Sequence, residues 1–187
     1  EDLSHRYYTL KSGWMGKKQI DWWDRNAPLP GDNDRQYSWT DAKEIVLDAF
    51  GGFDSDMAEI AKPFFDNNWI DAAPRAGKSS GAFSHPVVPS AHPYILMNFA
   101  GKSRDVMTLA HEMGHGIHQV LAAEQGYLMS DTPLTLAETA SVFAEMLAFR
   151  RLVDNENDAN VRRLLLAGKV EDMLNTVVRQ IAFHNFE

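Results

Sequence analysis

The chain has 187 residues, no cysteine and a formal net charge of −8 at neutral pH. That length sets a prior of one domain, or part of one, with enough apolar residues for a core. The acidic balance argues against a nucleic-acid footprint, and the lack of Cys excludes both a disulfide framework and a Cys-based zinc site. No apolar run approaches the ~20 residues of a membrane span, and no signal peptide is visible. A reducing compartment, the cytoplasm, fits the absence of Cys.

The chain opens in EDLSHRYYTLKSGWMGKK, which already reads as helix, and closes at RQIAFHNFE with no stop signal. Both ends are therefore expected to be cuts in a longer protein. Residues 17–38 are rich in Pro, Gly, Asp and Asn and predict a long ordered connection, with Trp22 and Trp23 packing on helices. WTDAKEIVLDAF and SDMAEIAKPFFDNN read as two short helices separated at Gly51-Gly52, with Pro63 kinking or ending a turn of the second.

Between residues 68 and 99 the pattern changes. NWIDAAPR, GAFSHPVV and PYILMNF are short apolar segments separated by turn-rich AGKSSG and PSAH, which predicts three strands of a small sheet. His85 and His92 lie in or beside those strands, where structural or solvated roles are expected. The overall expectation is a mainly α fold with a small β-sheet. All of 1–187 is taken as part of one catalytic domain: a helical lead-in over 1–67, the sheet over 68–99, and zinc-binding and supporting helices over 103–187.

The segment SRDVMTLAHEMGHGIHQVLAAEQ carries the chemistry. Val106, Leu109, Ala110, Met113, Ile117, Val120 and Leu121 recur at helical spacing, so it is an amphipathic helix. Ser103 is its expected N-cap, and Asp105 suits the dipole of its first turn. His111 and His115 are four apart and share one face, so both imidazoles can reach one metal ion. Glu112 is turned by about 100° and need not ligate. That is the layout for a zinc-bound water held beside a general base, zinc bringing the water's pKa to ~7.

LAETASVFAEMLAFRRLV follows as a nearly all-apolar helix. A last helix over about 157–187 carries a stripe that includes Val161, Leu165, Val177, Val178, Ile181 and Phe186, expected to support the core. A catalytic zinc needs three protein ligands and one open position. The metzincin pattern is excluded, because His118 and Leu121 stand where it requires Gly and His. His118 is a poorly placed third ligand on the same helix and reads as a neighbour of the site or a surface residue. Glu138, at the start of the apolar helix, is the stronger candidate, since a carboxylate there is costly unless paired or bound to metal. Two alternatives remain on spacing alone: Thr135 and Glu138 form a capping box, or Glu145 is the ligand.

The block His111-Glu112-Met113-Gly114-His115 with Leu-Ala-Glu138-Thr-Ala-Ser-Val-Phe-Ala-Glu145 resembles the oligoendopeptidase F branch of the thimet oligopeptidase family of zinc peptidases. The resemblance extends through DWWDRNAPLP, FFDNNWIDAAPRAGKSSGAFS and HPYILMNFAGKSRDVMTLA, and so covers most of the chain. It implies His111, His115 and Glu138 as ligands of one Zn²⁺, Glu112 as general base, and Glu145 as a carboxylate orienting a ligand. It further implies a larger, mostly helical zincin-type endopeptidase that cleaves internal bonds of short peptides in a deep channel, with the GAFS strand pairing to the substrate. His and Tyr donors for the oxyanion are then expected beyond Glu187. Such a piece alone would cleave poorly and could self-associate through the stripe of its last helix. Two other readings compete: another His-Glu-x-x-His hydrolase such as a metallocarboxypeptidase, and an inactive helical binding or scaffold module.

Overall fold

A computed structural model describes residues 2–31 and 35–187. Residues 1 and 32–34, which fall within the expected first helix and the expected long connection, lie outside the described residues. The elements are α1 (Asp2–Trp14), α2 (Trp39–Phe53), α3 (Ser55–Asp66), β1 (Ile70–Asp71), β2 (Phe83–His85), β3 (Tyr94–Leu96), α4 (Ser103–Ala122), α5 (Leu134–Asp154) and α6 (Ala159–Phe186). The fold is thus mostly helical with a small sheet, as the patterning predicts.

The chain divides into two compact units, Glu1–Asn33 with Asn155–Glu187, and Asp34–Asp154. In the first, Lys11 of α1 is fully buried and donates to Glu171 of α6 and to the Arg25 carbonyl. The Tyr7 hydroxyl donates to the Ala167 carbonyl and to Glu171, so the buried polar groups here are paired. Two expectations fail in this unit. Trp22 and Trp23 lie in a short 3-10 turn and remain largely exposed, packing edge-to-face on each other instead of on helices. Helix α6 buries Leu165, Ala167 and Lys169, while Val177, Val178, Ile181 and Phe186 of the expected stripe are exposed.

The second unit holds that core. Helix α2 starts on Ser38, whose hydroxyl accepts from Asp41 N while Asp41 accepts from Ser38 N. It runs through Gly51-Gly52 without breaking and ends at Asp54, whose side chain caps α3 by accepting from Asp56 N. Pro63 sits inside α3, which continues to Asp66. The helix then closes with Asn68 in the left-handed region (φ 58°) and Trp69 N bonded to the Phe64 carbonyl at 3.0 Å. That turn sends the chain into the sheet.

The three strands are shorter than the segments that predict them. Their order is β1-β3-β2, with β1 parallel and β2 antiparallel to β3. Ile95 and Met97 send their N–H groups to Trp69 and Asp71, toward β1. The Ser84–Ile95 pair is therefore the non-hydrogen-bonded one, and Ser84 turns its own N–H and carbonyl away from β3, to the outer edge of β2, where the Gln119 amide donates to the carbonyl.

Helix α4 crosses this layer. Val46, Phe50, Phe64, Ile95, Met97, Val106, Leu109 and Met113 are all closed to solvent around it. Its start differs from expectation: Lys102, not Ser103, is the N-cap, and Asp105 accepts from Lys102 N and Ala100 N. On its far side Gly114 meets α5. A Cβ at Gly114 would stand 2.7–2.8 Å from Ala144, the Ala140 carbonyl and Ser141, and one at Gly116 would stand 2.8 Å from the Phe64 ring. Both glycines are there because no side chain fits.

Candidate metal centre

The close approach at Gly114 brings the first half of α5 against the His111–His115 face of α4. The two imidazoles, one turn apart, have ring centroids 5.0 Å from each other. Glu138 reaches both: one carboxylate oxygen lies 3.4 Å from His111 Nε2, the other 3.7 Å from His115 Nε2. One ligand atom from each of His111, His115 and Glu138 falls within 4.8 Å of the other two. Ligands at about 2.0–2.2 Å around a tetrahedral zinc stand roughly 3.3–3.6 Å apart, so these separations suit such an ion.

The start of α5 removes one of the two alternatives for Glu138. Helix α5 begins at Leu134, so Thr135 is already inside it and its carbonyl accepts from Thr139; the capping box does not form. Glu138 instead faces the histidines, accepts from Ser141 Oγ at 3.1 Å and keeps about half its side chain exposed. That exposed side leaves room for the open position that catalysis requires. Glu145, two turns on, takes the other nitrogen: His111 Nδ1 lies 3.1 Å from its carboxylate. A proton on Nδ1, donated to that carboxylate, would leave Nε2 free for a metal.

Electrostatics separate the members of the group. Burial lowers His111, but the hydrogen bond to Glu145 and the charges of Glu112, Glu145 and Glu138 outweigh it and raise its pKa. His115 is lowered, by burial first and then by the neighbouring His111. Glu112 is only 6% exposed, and burial pushes its carboxyl up to about 7, into the range where a group exchanges protons at neutral pH.

The remaining histidines do not enter the group. His118 is partly buried on the same side of α4, and its Nδ1 has no partner among the described residues. His85 accepts from Val87 N, and His92 stacks on Trp69. Sequence reading missed Gly114 and Gly116 as parts of the site. The signal was there, since two glycines inside one amphipathic helix each cost about 1 kcal/mol unless a close approach requires them. It also missed Gln119, whose amide donates to the Ser84 carbonyl and accepts from Ser84 Oγ, tying β2 to the metal helix.

Comparison with known proteins assigns a family. Residues 54–187 match the profile of peptidase family M3. Oligoendopeptidase F (chromosomal) of Lactococcus lactis subsp. cremoris is 32% identical over 99% of this chain, and Oligopeptidase PepF of Bacillus subtilis is 31% identical over the same share. The crystal structure of an inferred peptidase from Chlamydophila abortus superimposes over 99% of the chain with a TM-score of 0.84 at 25% identity. The chain spans 31% of the Lactococcus relative, 28% of the Bacillus one and 31% of the Chlamydophila one. The profile match covers well over half of the chain, and the residues it spans include the whole His-His-Glu group: the chain belongs to peptidase family M3.

Proposed function

We propose that the chain is the zinc-binding core of an endopeptidase that hydrolyses internal bonds of short peptides. The observation that carries this reading is the convergence of His111, His115 and Glu138 on one point, with Glu112 on the next position of the same helix. These three residues would hold one Zn²⁺, which when bound supplies Lewis-acid polarisation of water and of the scissile carbonyl. Glu112 accepts the proton of the attacking water and returns it to the leaving amine. Its raised pKa suits both transfers. Glu145 holds the His111 ring in orientation. At the outer edge of β2 the Ser84 carbonyl is held by Gln119, and the Ser84 N–H, turned away from β3, is the donor that supports pairing with an extended peptide backbone. The two compact units belong, in this proposal, to one catalytic domain working in the cytoplasm.

The test is metal content per chain by elemental analysis, run in parallel with cleavage of an internally quenched, end-blocked peptide. One zinc per chain is expected, retained in Glu112→Gln and lost in Glu138→Ala. Unchanged zinc in Glu138→Ala would overturn the ligand set. End-blocked substrates separate this reading from a metallocarboxypeptidase, which requires a free C-terminus. A binding or scaffold module would show no turnover sensitive to Glu112→Gln in any longer form of the protein.

A further inference from the structure

Of the three side chains that converge at the metal centre, Glu138 is the least confined. Its side chain is 48% exposed, against 24% for His111 and 15% for His115. It also has the most freedom to lose, because the last torsion of a glutamate is broad and no rotamer well fixes it. A carboxylate left to itself there would point its oxygens in many directions. Its plane has to be set by a neighbouring atom.

Ser141, one turn further along α5, supplies that atom. Its Oγ stands 3.1 Å from Glu138 Oε2, the same oxygen that lies 3.4 Å from His111 Nε2. Ser141 is fully buried, in a row with Ala137, Ala144 and Ala148 on the face of α5 closed to solvent. Its backbone is held by α4, since a Cβ on Gly114 would stand 2.8 Å from the Ser141 Cα. The hydroxyl is thus carried on a closely packed point of the helix crossing, while the carboxylate it touches reaches toward solvent. Packing accounts for a small residue at 141, as it does for the alanines of the row, but not for the oxygen.

That oxygen has a second acceptor at the same distance, the Glu138 carbonyl at 3.1 Å. A bond of that kind is what serine makes inside helices in general. One hydroxyl has one proton, so the two acceptors compete for it. The carboxylate is the charged one, and charge-assisted hydrogen bonds are roughly twice as strong as neutral ones.

We propose that Ser141 is a positioning residue of the metal centre, its hydroxyl donating to Glu138 Oε2 and setting the carboxylate plane before a metal is bound. The proposal rests on the reading of His111, His115 and Glu138 as zinc ligands. Ser141 acts only through Glu138, much as Glu145 acts through His111, so that α5 orients two of the three ligands as well as supplying one.

The experiment measures zinc affinity by competition with a chromophoric chelator in the wild-type chain, Ser141→Ala, Glu138→Ala and the double variant. Ser141→Ala should bind zinc about tenfold more weakly. It should not lower the unfolding temperature of the metal-free chain, because alanine fits the same space and is the better helix former. In the Glu138→Ala background, where two histidines alone bind at millimolar zinc, removing the hydroxyl should change nothing, which marks the effect as passing through the carboxylate. An affinity within about twofold of wild type in Ser141→Ala, or an equal loss in both backgrounds, overturns the proposal. Failure of the zinc reading is a different result: Glu138→Ala alone would keep wild-type affinity.

Discussion

Removing the charge of Glu112 should stabilise the metal-free protein, and only at neutral to alkaline pH. Its carboxyl is raised from an ordinary 4.5 to about 7, chiefly by burial. The folded state therefore binds the proton more tightly than the unfolded chain does. The protonated carboxyl is tolerated below pH 4.5, and folding loses stability as pH climbs from there through about 7, levelling off above it as the buried charge becomes complete. The shift corresponds to about 3 kcal/mol. Glu112→Gln, which keeps shape and polarity without ionising, should recover that amount at pH 8 and under about 1 kcal/mol at pH 5. In a chain of this size the gain at pH 8 is a rise in Tm of roughly 6–12 °C. The assay is thermal and urea unfolding of both proteins with a chelator present, at the two pH values. Adding zinc should shrink the difference, since a dication beside the carboxylate favours its ionised form. An equal gain at both pH values, or none at pH 8, would refute burial as the cause.

Gly114→Ala forces a methyl into α5 and should cost about 1–3 kcal/mol, with weaker zinc binding because Glu138 moves away from the histidines. Competition with a chromophoric chelator measures the second effect, and wild-type affinity would contradict it. Glu145→Ala should lower zinc affinity by about 10–100-fold while leaving the ligand count intact; an unchanged affinity would mean that the His111 contact orients nothing. Zinc should leave as pH falls below about 6, because His111 and His115 must be neutral to ligate and His111, with its raised pKa, takes up a proton first. Occupancy that stayed constant to pH 4 would exclude histidine ligation. The exposed Val177, Ile181 and Phe186 of α6 should drive association of the isolated chain. Light scattering should then give a mass that falls toward 21.1 kDa on dilution or in Ile181→Lys, and a monomer at all concentrations would count against it.

How much of this was legible in the sequence depends on how local each cause is. His111 and His115 could be read because four-residue spacing on a helix is itself a geometry. Glu138 could be named as a candidate, but spacing alone left the capping box and Glu145 open. The start of α5 at Leu134, which excludes the capping box, and the approach at Gly114, which brings Glu138 beside both histidines, are decided by packing between helices. The break expected at Gly51-Gly52 failed for the same reason. Val46, Ala49 and Phe50 are buried, and that burial holds α2 together through two poor helix formers. Trp22 and Trp23 show the opposite failure, since apolar character alone predicted burial that their neighbours do not provide. Ser84 and Gln119 are 35 positions apart, and no local pattern announces such a pair.

Glu138 and Glu145 address opposite nitrogens of one imidazole, and seven residues separate them. Seven residues of helix return to within about 20° of the starting direction. A single inserted or deleted residue between them would swing Glu145 by about 100° and strip His111 of one partner while keeping the other. The stretch from 138 to 145 can therefore tolerate almost no change of length. The His111 ring works as a gauge on α5, reading both its rotation and its axial position.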